Sequence, residues 1–191
     1  AGDVGKAIEG TELATQAPSL MMGESLMDAS TGFDTVKYRE AIGVFAGIVP
    51  VNFPAMIPFG WMVPVCVACG NTIVLKAASL TPRTAMRIAE LYVEAGIPKG
   101  VVNIVTCSRK EVNTILDHPD VKGVTFVGST PVGLKVYERA AASGKRCQAL
   151  CQAKNHALIL EDCALERTVA GVINSAFGCG GQRCMALSCC V

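Results

Sequence analysis

The amino-acid sequence predicts an α/β fold in which a parallel sheet is flanked by helices. From residue 41 onward, short β-branched runs alternate with amphipathic stretches, which is the pattern of βαβ units. A chain of 191 residues with 51% hydrophobic residues can bury a substantial core. Its charged fraction of 17% and formal net charge of +1 are typical of a globular protein without a strong long-range field.

Local patterns predict the individual elements. Residues before 38 are rich in Gly, Ser, Thr and Asp and predict a helix end and an irregular lead-in. Thr81 is the predicted N-cap of a helix that begins at Pro82, carries apolar residues at helical spacing and ends at Gly96. The other predicted strands are 72–75, 101–105, 124–127 and 157–160, and the other predicted helices are 111–116, 131–142 and 166–177.

Several classes of function are disfavoured by composition. The sequence has no basic run and no basic-aromatic interleaving, so we expect no nucleic-acid partner. The most apolar stretch, residues 41–69, is interrupted by four prolines and predicts buried protein rather than a membrane span. Ten cysteines in a chain with a core favour reduced thiols over a disulfide framework. This predicts a cytoplasmic protein, with the mitochondrial matrix as the alternative.

Metal binding is not expected either. Cys66 and Cys69 form a C-x-x-C pair, but neither His118 nor His156 stands at the spacing that a zinc site requires. We therefore predict no metal site. The alternative is a cysteine-rich metal protein, which bound zinc would reveal.

The most informative stretch is residues 177–186 (FGCGGQRCMA), where a thiol stands beside an arginine after a glycine-rich turn. Thiolate is the attacking form of cysteine, and a neighbouring cation or a ring of backbone N–H groups favours it. Cys184 is therefore the candidate nucleophile, and a buried structural cysteine is the alternative. Arg183 can hold a carboxylate with two parallel N–H donors, and a structural ion pair is the alternative.

Three other segments contain candidate ligand-binding or catalytic residues. Residues 128–133 (GSTPVG) lie between a strand and a helix, where backbone N–H groups can hold a pyrophosphate, although an ordinary capped helix has the same pattern. Lys76 ends a predicted parallel strand, the position at which open α/β sheets bind ligands, although a lysine there can also be merely solvated. Asn52 either caps a turn or donates its amide to an oxyanion formed when Cys184 attacks a carbonyl.

In this order, four segments resemble the aldehyde dehydrogenase superfamily: residues 47–54 (GIVPVNFP), 70–76 (GNTIVLK), 126–133 (FVGSTPVG) and 181–184 (GQRC). Residues 154–156 (KNH) and 181–188 (GQRCMALS) are similar to the CoA-acylating methylmalonate-semialdehyde (malonate-semialdehyde) dehydrogenases. The resemblance implies a lead-in over 1–37, a Rossmann-like NAD-binding domain over 38–165, and over 166–191 the start of a catalytic domain that is otherwise missing. Family members are more than twice this length, and the full-length protein is expected to be a homo-oligomer.

The resemblance also implies a role for each matching position. Cys184 attacks the aldehyde, Asn52 stabilises the oxyanion, and hydride transfer to NAD leaves a thioester on Cys184. The implied NAD contacts are Val49, Val51, Lys76, Ser79 and Ser129, and Arg183 is the implied contact of a substrate carboxylate.

Departures from the family pattern add further expectations. Hydrolytic members carry a glutamate base where this chain has Leu150, and a leucine cannot accept a proton, so coenzyme A is the implied acyl acceptor. Ser79 replaces the family's ribose-binding glutamate, and we therefore expect weaker discrimination against NADP. Gly60 reads as an insertion between Phe59 and Trp61, which would rotate a helix by about 100°.

Glycines are also replaced at ligand-facing turns. Gln152 and Cys107 stand where the family usually has glycine, the residue that tolerates positive φ, and we expect backbone strain at Gln152 in particular. A non-catalytic dinucleotide-binding fragment, or an impaired variant, is therefore the alternative to an active enzyme.

Overall fold

Parallel β-strands form the centre of residues 1–150 in the computed structural model, which describes residues 1–191. This first unit contains α1 (Gly2–Ala14), α2 (Ala17–Leu20), β1 (Glu24–Ser30), β2 (Phe33–Lys37), β3 (Val44–Ile48), a π-helix (Ile57–Met62), α3 (Val63–Ala68), β4 (Thr72–Lys76), α4 (Pro82–Glu94), β5 (Val102–Val105), α5 (Arg109–Asp117), β6 (Val121–Val127), α6 (Thr130–Ala142) and β7 (Arg146–Leu150). The second unit, residues 151–191, contains β8 (Asn155–Ala157), α7 (Leu165–Phe177), a 3₁₀ turn (Gly178–Gly181) and β9 (Leu187–Cys190).

The sheet of the first unit has the strand order β5-β4-β3-β6-β7, and all four pairings are parallel. Helices connect successive strands, as parallel pairing requires, because the chain must return to the starting edge before each new strand. The predicted α/β fold, a parallel sheet with flanking helices, is confirmed. The functional division that the sequence predicts after residue 165 stays a prediction.

The core of the first unit lies where the central strands meet the helices. Ile73 and Leu75 of β4 are completely buried, and Phe59 of the π-helix is packed edge-to-face against Tyr92 of α4 with ring centroids 5.7 Å apart. Burying a side chain of this size contributes about 1.5–3 kcal/mol. Strands of a parallel sheet that are covered on both faces have nearly continuous runs of apolar residues in their sequences, and β4 has this pattern.

The amino-terminal residues are more regular than the sequence predicts. In place of an irregular lead-in, α1 spans 13 residues, and β1 and β2 form an antiparallel hairpin. Tertiary contacts fix α1: the Asp3 carboxylate accepts hydrogen bonds from the backbone N–H groups of Ala55 and Met56, each at 2.9 Å. Thr11 donates its hydroxyl to the Phe59 carbonyl at 3.0 Å. These contacts involve residues far along the chain, which local patterns do not reveal.

Gly60 lies inside the π-helix, where an inserted residue need not rotate the rest of the helix. A π-turn closes its hydrogen bond over one residue more than an α-turn, so an added residue is taken up within the wider turn. The residues after Trp61 therefore need not rotate by 100°. Gly60 also touches α1 very closely, since a Cβ at Gly10 would lie 2.3 Å from the Gly60 carbonyl oxygen.

In the second unit, β8 and β9 pair in parallel, with Asn155 opposite Leu187 and Ala157 opposite Cys190. The predicted helix 166–177 corresponds to α7, whereas the predicted strand 157–160 begins and ends earlier, at 155–157. No residue of this unit is fully buried. Across the whole chain, none of the helices combines the length and the apolar character that crossing a bilayer requires.

Candidate active site

The strands β3, β4 and β6 end at one edge of the parallel sheet. Ile48, the last residue of β3, is paired with Lys76 at the end of β4 and with Phe126 near the end of β6. From β3 the chain adds strands first on one side and then, beginning with β6, on the other. Open α/β sheets bind ligands outside the carboxyl ends of their strands at such a reversal. The ends of these strands and the segments after them carry the predicted residues Val49, Val51, Asn52, Lys76, Ser79 and Ser129.

The predicted cofactor residues after β3 and β4 differ in exposure. Val49 is buried, and its backbone N–H donates to the Lys76 carbonyl at 3.4 Å. Val51 is exposed, and its carbonyl accepts the Thr81 hydroxyl at 3.5 Å. Lys76 is half-buried and Ser79 is exposed between β4 and α4. The structure thus brings Val49 and Lys76 into contact and leaves Ser79 open to solvent.

The turn after β6 presents the amino terminus of α6. Ser129 is the exposed, extended N-cap residue of this 13-residue helix, and its carbonyl accepts the backbone N–H of Gly133 at 2.9 Å. Gly128 is required here because a Cβ would lie 2.6 Å from the Phe126 ring. The first N–H groups of a helix have no partner within the helix and favour an anion, so this turn suits a phosphate.

A cavity between α5 and α6 was missed by the sequence reasoning. It has a volume of about 600 Å³ and opens beside the first turn of α6. Its walls combine apolar side chains with three cations, and they include Arg109, Val112, Leu116, Val132, Lys135 and Arg139. The Glu138 carboxylate also lines it and Arg139 is paired with Asp117, so the walls carry charges of both signs. The residues that form the cavity come from two helices, and only the folded chain brings them together.

Leu150 lies at the same edge of the sheet, as the last residue of β7. It is opposite Val127 in the ladder, its carbonyl accepts the Gly128 N–H at 3.1 Å, and it is 44% exposed. An aliphatic group therefore occupies the position that the sequence analysis aligned with a glutamate base.

The candidate nucleophile lies in the second unit, in the loop that joins the 3₁₀ turn to β9. Cys184 is exposed. Its carbonyl accepts a hydrogen bond from Asn155 Nδ2 at 2.8 Å, and the same amide donates to the Ala186 carbonyl at 2.9 Å. One side chain of β8 thus fixes the backbone on both sides of Met185. Asn155 belongs to the KNH motif at 154–156, and this role was not predicted from it.

Arg183 is half-buried beside Cys184. Its guanidinium packs on Gly178, and its Nη2 donates to the Cys179 sulfur at 3.4 Å. The polar partner of Arg183 is therefore a thiol, and the structural ion pair considered as an alternative is not formed.

A model described as "Aldehyde dehydrogenase family" matches residues 1–191. The chain belongs to the aldehyde dehydrogenase family. The family predicted from the four ordered motifs is confirmed.

Among aldehyde dehydrogenases, the malonate-semialdehyde dehydrogenase of Bacillus cereus is 54% identical over 187 residues, which are 98% of this chain and 38% of that protein. The methylmalonate-semialdehyde dehydrogenase of Oceanimonas doudoroffii superposes with a TM-score of 0.96 at 43% identity, covering 99% of this chain and 38% of the other. The corresponding protein of Sinorhizobium meliloti, solved in complex with NAD, gives 0.95 at 41% identity with the same coverage. This chain thus spans about 38% of the length of these relatives.

Gln152 and Cys107, which stand where aldehyde dehydrogenases usually have glycine, have ordinary backbone angles. Asp28 and Cys179 are the two non-glycine residues with positive φ, so neither Gln152 nor Cys107 has a left-handed backbone, and the prediction of strain at Gln152 is wrong.

None of the ten cysteines forms a disulfide, and no group of three His, Cys, Asp or Glu side chains is arranged to hold a metal ion. Burial, with a smaller effect of Cys69, raises the pKa of Cys66 to about 12.

Proposed function

We propose that this chain carries the dinucleotide-binding part and the nucleophile of an NAD-dependent, CoA-acylating dehydrogenase of malonate or methylmalonate semialdehyde. The observation that carries the proposal is the 54% identity to malonate-semialdehyde dehydrogenase over 98% of the chain. The alternative, a dinucleotide-binding fragment or impaired variant without catalysis, predicts cofactor binding but no chemistry at Cys184.

The residues present fit a dinucleotide. The amino terminus of α6, with Ser129, suits the pyrophosphate, and Lys76 at the end of β4 suits a ribose hydroxyl. The cavity between α5 and α6 has apolar walls for a base, with Val112 and Val132 among them. Val49 and Val51 complete the proposed cofactor contacts after β3. When bound, NAD supplies the acceptor for the hydride.

The proposed chemistry assigns two roles to protein groups. The Cys184 thiolate attacks the aldehyde carbon, and its sulfur forms the new bond while the carbonyl oxygen becomes an oxyanion. Asn52 Nδ2 and the Cys184 backbone N–H are the proposed donors to that oxyanion. Removing one such donor typically lowers kcat by about 10²–10³. Departure of the hydride leaves a thioester on Cys184.

The side chain of Leu150 favours transfer of the acyl group to coenzyme A over hydrolysis. It cannot take a proton from water, so hydrolysis of the thioester has no general base at this position. The thiolate of coenzyme A is itself a nucleophile, attacks the thioester carbonyl and expels the Cys184 thiolate. Arg183 is the proposed contact of the substrate carboxylate, which its N–H donors can bind in pairs.

The exposed Ser79 supports a proposal on cofactor choice. A carboxylate at this position would repel a 2′-phosphate, and a serine does not, so we expect NAD and NADP to bind with similar dissociation constants. Ser79→Glu should weaken NADP binding, whereas Ser79→Gln, which has the same shape without the charge, should not. A strong preference of the parent chain for NAD would contradict this proposal.

Assembly and compartment are proposed on simpler grounds. Every residue of the β1–β2 hairpin is exposed, including Leu26, Phe33 and Val36, and a two-stranded hairpin is marginal in water by itself. Packing of the hairpin against a second copy of the full-length protein would cover these side chains. The ten cysteines without a disulfide favour the cytoplasm, with the mitochondrial matrix as the alternative.

A single-turnover experiment tests the proposed function. The purified protein is mixed with NAD and methylmalonate semialdehyde without coenzyme A. We expect a burst of NADH absorbance equal to the amount of protein and an acyl adduct on the Cys184 peptide by mass spectrometry. Coenzyme A should then remove the adduct as acyl-CoA. Cys184→Ala should abolish the burst, and the matched variant of another exposed cysteine, Cys189→Ala, should keep it. NAD binding without a burst would support the non-catalytic alternative.

A further inference from the structure

Two contacts hold the guanidinium of Arg183 in one place. Its plane lies against Gly178 so closely that a Cβ there would be 2.8 Å from Arg183 Cζ and 2.9 Å from each Nη. Its Nη2 donates to the Cys179 sulfur at 3.4 Å. Arg183 is half-buried as a result, although Cys184 beside it is exposed. The arginine next to the candidate nucleophile therefore has a defined orientation.

The backbone at Cys179 is unusual. Cys179 has φ 55° and ψ 35°, in the left-handed region that residues other than Gly, Asn and Asp rarely adopt. Gly180 and Gly181, which follow, also have positive φ, at 62° and 71°. The turn thus contains three left-handed residues in succession, and the one with a side chain is the one whose sulfur meets Arg183.

The hydrogen bond to Cys179 determines which edge of the Arg183 guanidinium can bind a carboxylate. A guanidinium has two edges that can bind a carboxylate through two parallel N–H donors, and Nη2 contributes one hydrogen to each edge. When one Nη2 hydrogen is donated to sulfur, one complete edge remains for a carboxylate. The sulfur is a weak acceptor and carries no obligatory charge, so it orients the arginine without neutralising it.

We propose that Cys179 is a positioning residue which, by accepting one Nη2 hydrogen, determines the edge of Arg183 that meets a carboxylated reactant of Cys184. This inference rests on the proposed function, in which Arg183 binds the carboxylate of the substrate. It gives a role to Cys179, a residue that the proposed reaction does not use. A glycine at 178 suits this arrangement, since an added Cβ there would displace the guanidinium.

Alkylation of the chain with two matched reagents tests the proposal. Iodoacetate and iodoacetamide both form a bond from sulfur to the same methylene carbon and release iodide, but only iodoacetate carries a carboxylate. The measured quantity is the ratio of their initial rates at Cys184, from peptide mass spectrometry at limiting reagent. We expect Cys179→Ala to lower this ratio about twofold to fivefold. Cys179→Ser should restore most of it, because a hydroxyl accepts the same hydrogen.

Three control variants separate the possible causes. Cys179→Gly removes the sulfur and keeps the left-handed backbone, so a ratio lowered in this variant assigns the effect to the sulfur. Cys189→Ala removes another exposed thiol and should leave the ratio unchanged. Arg183→Gln should lower the ratio at least as much as Cys179→Ala.

The outcomes distinguish this inference from the proposed function. If Arg183→Gln lowers the ratio while Cys179→Ala and Cys179→Gly leave it at the parent value, Cys179 does not position Arg183 and the inference is overturned, although Arg183 keeps its role. If Arg183→Gln also leaves the ratio unchanged, the proposed carboxylate contact itself is wrong, and the inference is overturned with it.

Discussion

The two units of this chain are stabilised in different ways. Residues 1–150 contain all the fully buried side chains, among them Ile73 and Leu75 at 0% exposure. Residues 151–191 contain none, and α7 leaves Leu165, Val169, Ile173 and Phe177 between 52% and 71% exposed. The loop of Cys184 is held by the Asn155 amide and by the β8–β9 pairing. The first unit is thus stabilised by its own core, whereas the position of Cys184, the candidate nucleophile, depends on a few polar contacts.

The largest effect that would test this comparison is a truncation in the core. Phe59→Ala removes a ring that is 2% exposed and packed against Tyr92, and we expect a loss of about 3–5 kcal/mol in the free energy of unfolding. Ile173→Ala, at a side chain 54% exposed in α7, should change it by less than about 0.5 kcal/mol. Denaturant titrations followed by circular dichroism and by fluorescence of the single tryptophan, Trp61, measure both. Equal losses would mean that the second unit has a core of its own.

Helix contacts within the first unit provide the next test. A Cβ at Gly10 would lie 2.3 Å from the Gly60 carbonyl oxygen, and backbone cannot move away cheaply. Gly10→Ala should therefore destabilise the fold by about 1–3 kcal/mol. Gly5 is in the same helix with nothing within 4 Å of an added Cβ, so Gly5→Ala should stabilise it by up to about 1 kcal/mol. Thermal melting of both variants checks the opposite signs, and a stabilising Gly10→Ala would contradict the close approach of α1 to the π-helix.

In the second unit, the corresponding test removes a polar contact. Asn155→Ala deletes the two hydrogen bonds to the Cys184 and Ala186 carbonyls and should lower the local free energy of opening by about 1 kcal/mol, because exposed carbonyls can bind water instead. Amide exchange of residues 184–187 measures this, and exchange in the sheet of the first unit should not change. Asn174→Ala, at an exposed position of α7, is the matched control. If Asn155→Ala leaves exchange in the loop unaltered, another contact holds the loop of Cys184.

Much of the first unit was predictable from the sequence because its signals are local. The Thr81-Pro82 pair predicts the start of α4, and the structure has the helix begin at Pro82. The β-branched run at 72–75 predicts β4 to within one residue. In the second unit, apolar residues four apart predict α7, but this periodicity does not reveal that its apolar side chains are exposed. A pattern predicts the element, and burial depends on what else is packed against it.

Features that depend on distant residues were not predictable. β7 (Arg146–Leu150) alternates exposed and half-buried positions at the edge of the sheet, and its pairing with β6 defines it as a strand. The contact of Arg183 with Cys179 depends on a left-handed turn that no propensity assigns to cysteine. The positions of Lys76 and Ser129 at strand ends followed from motifs, whereas the cavity between α5 and α6 needed both helices in place.

The smallest effect we predict is a dependence of stability on pH at the surface of the first unit. Hydrogen bonds from Arg139 lower the pKa of the Asp117 carboxyl below its ordinary value of 3.8. A lowered pKa in the folded state gives stability that is present above the unfolded pKa and is lost as pH falls through the folded pKa. Asp117→Asn should therefore be slightly less stable than the parent at about pH 7, and the difference should shrink as the pH falls toward about 2.

This loss should be small for two reasons. Both side chains are more than 40% exposed, so solvent screens the pair. Asp117 is also the last residue of α5, where a negative charge opposes the helix dipole, and removing the charge partly compensates for the lost ion pair. Denaturation of the parent, Asp117→Asn and Arg139→Gln at the two pH values measures the effect. A difference between Asp117→Asn and the parent that persisted undiminished at the lower pH would have to arise from packing, and the ion pair between α5 and α6 would then contribute nothing.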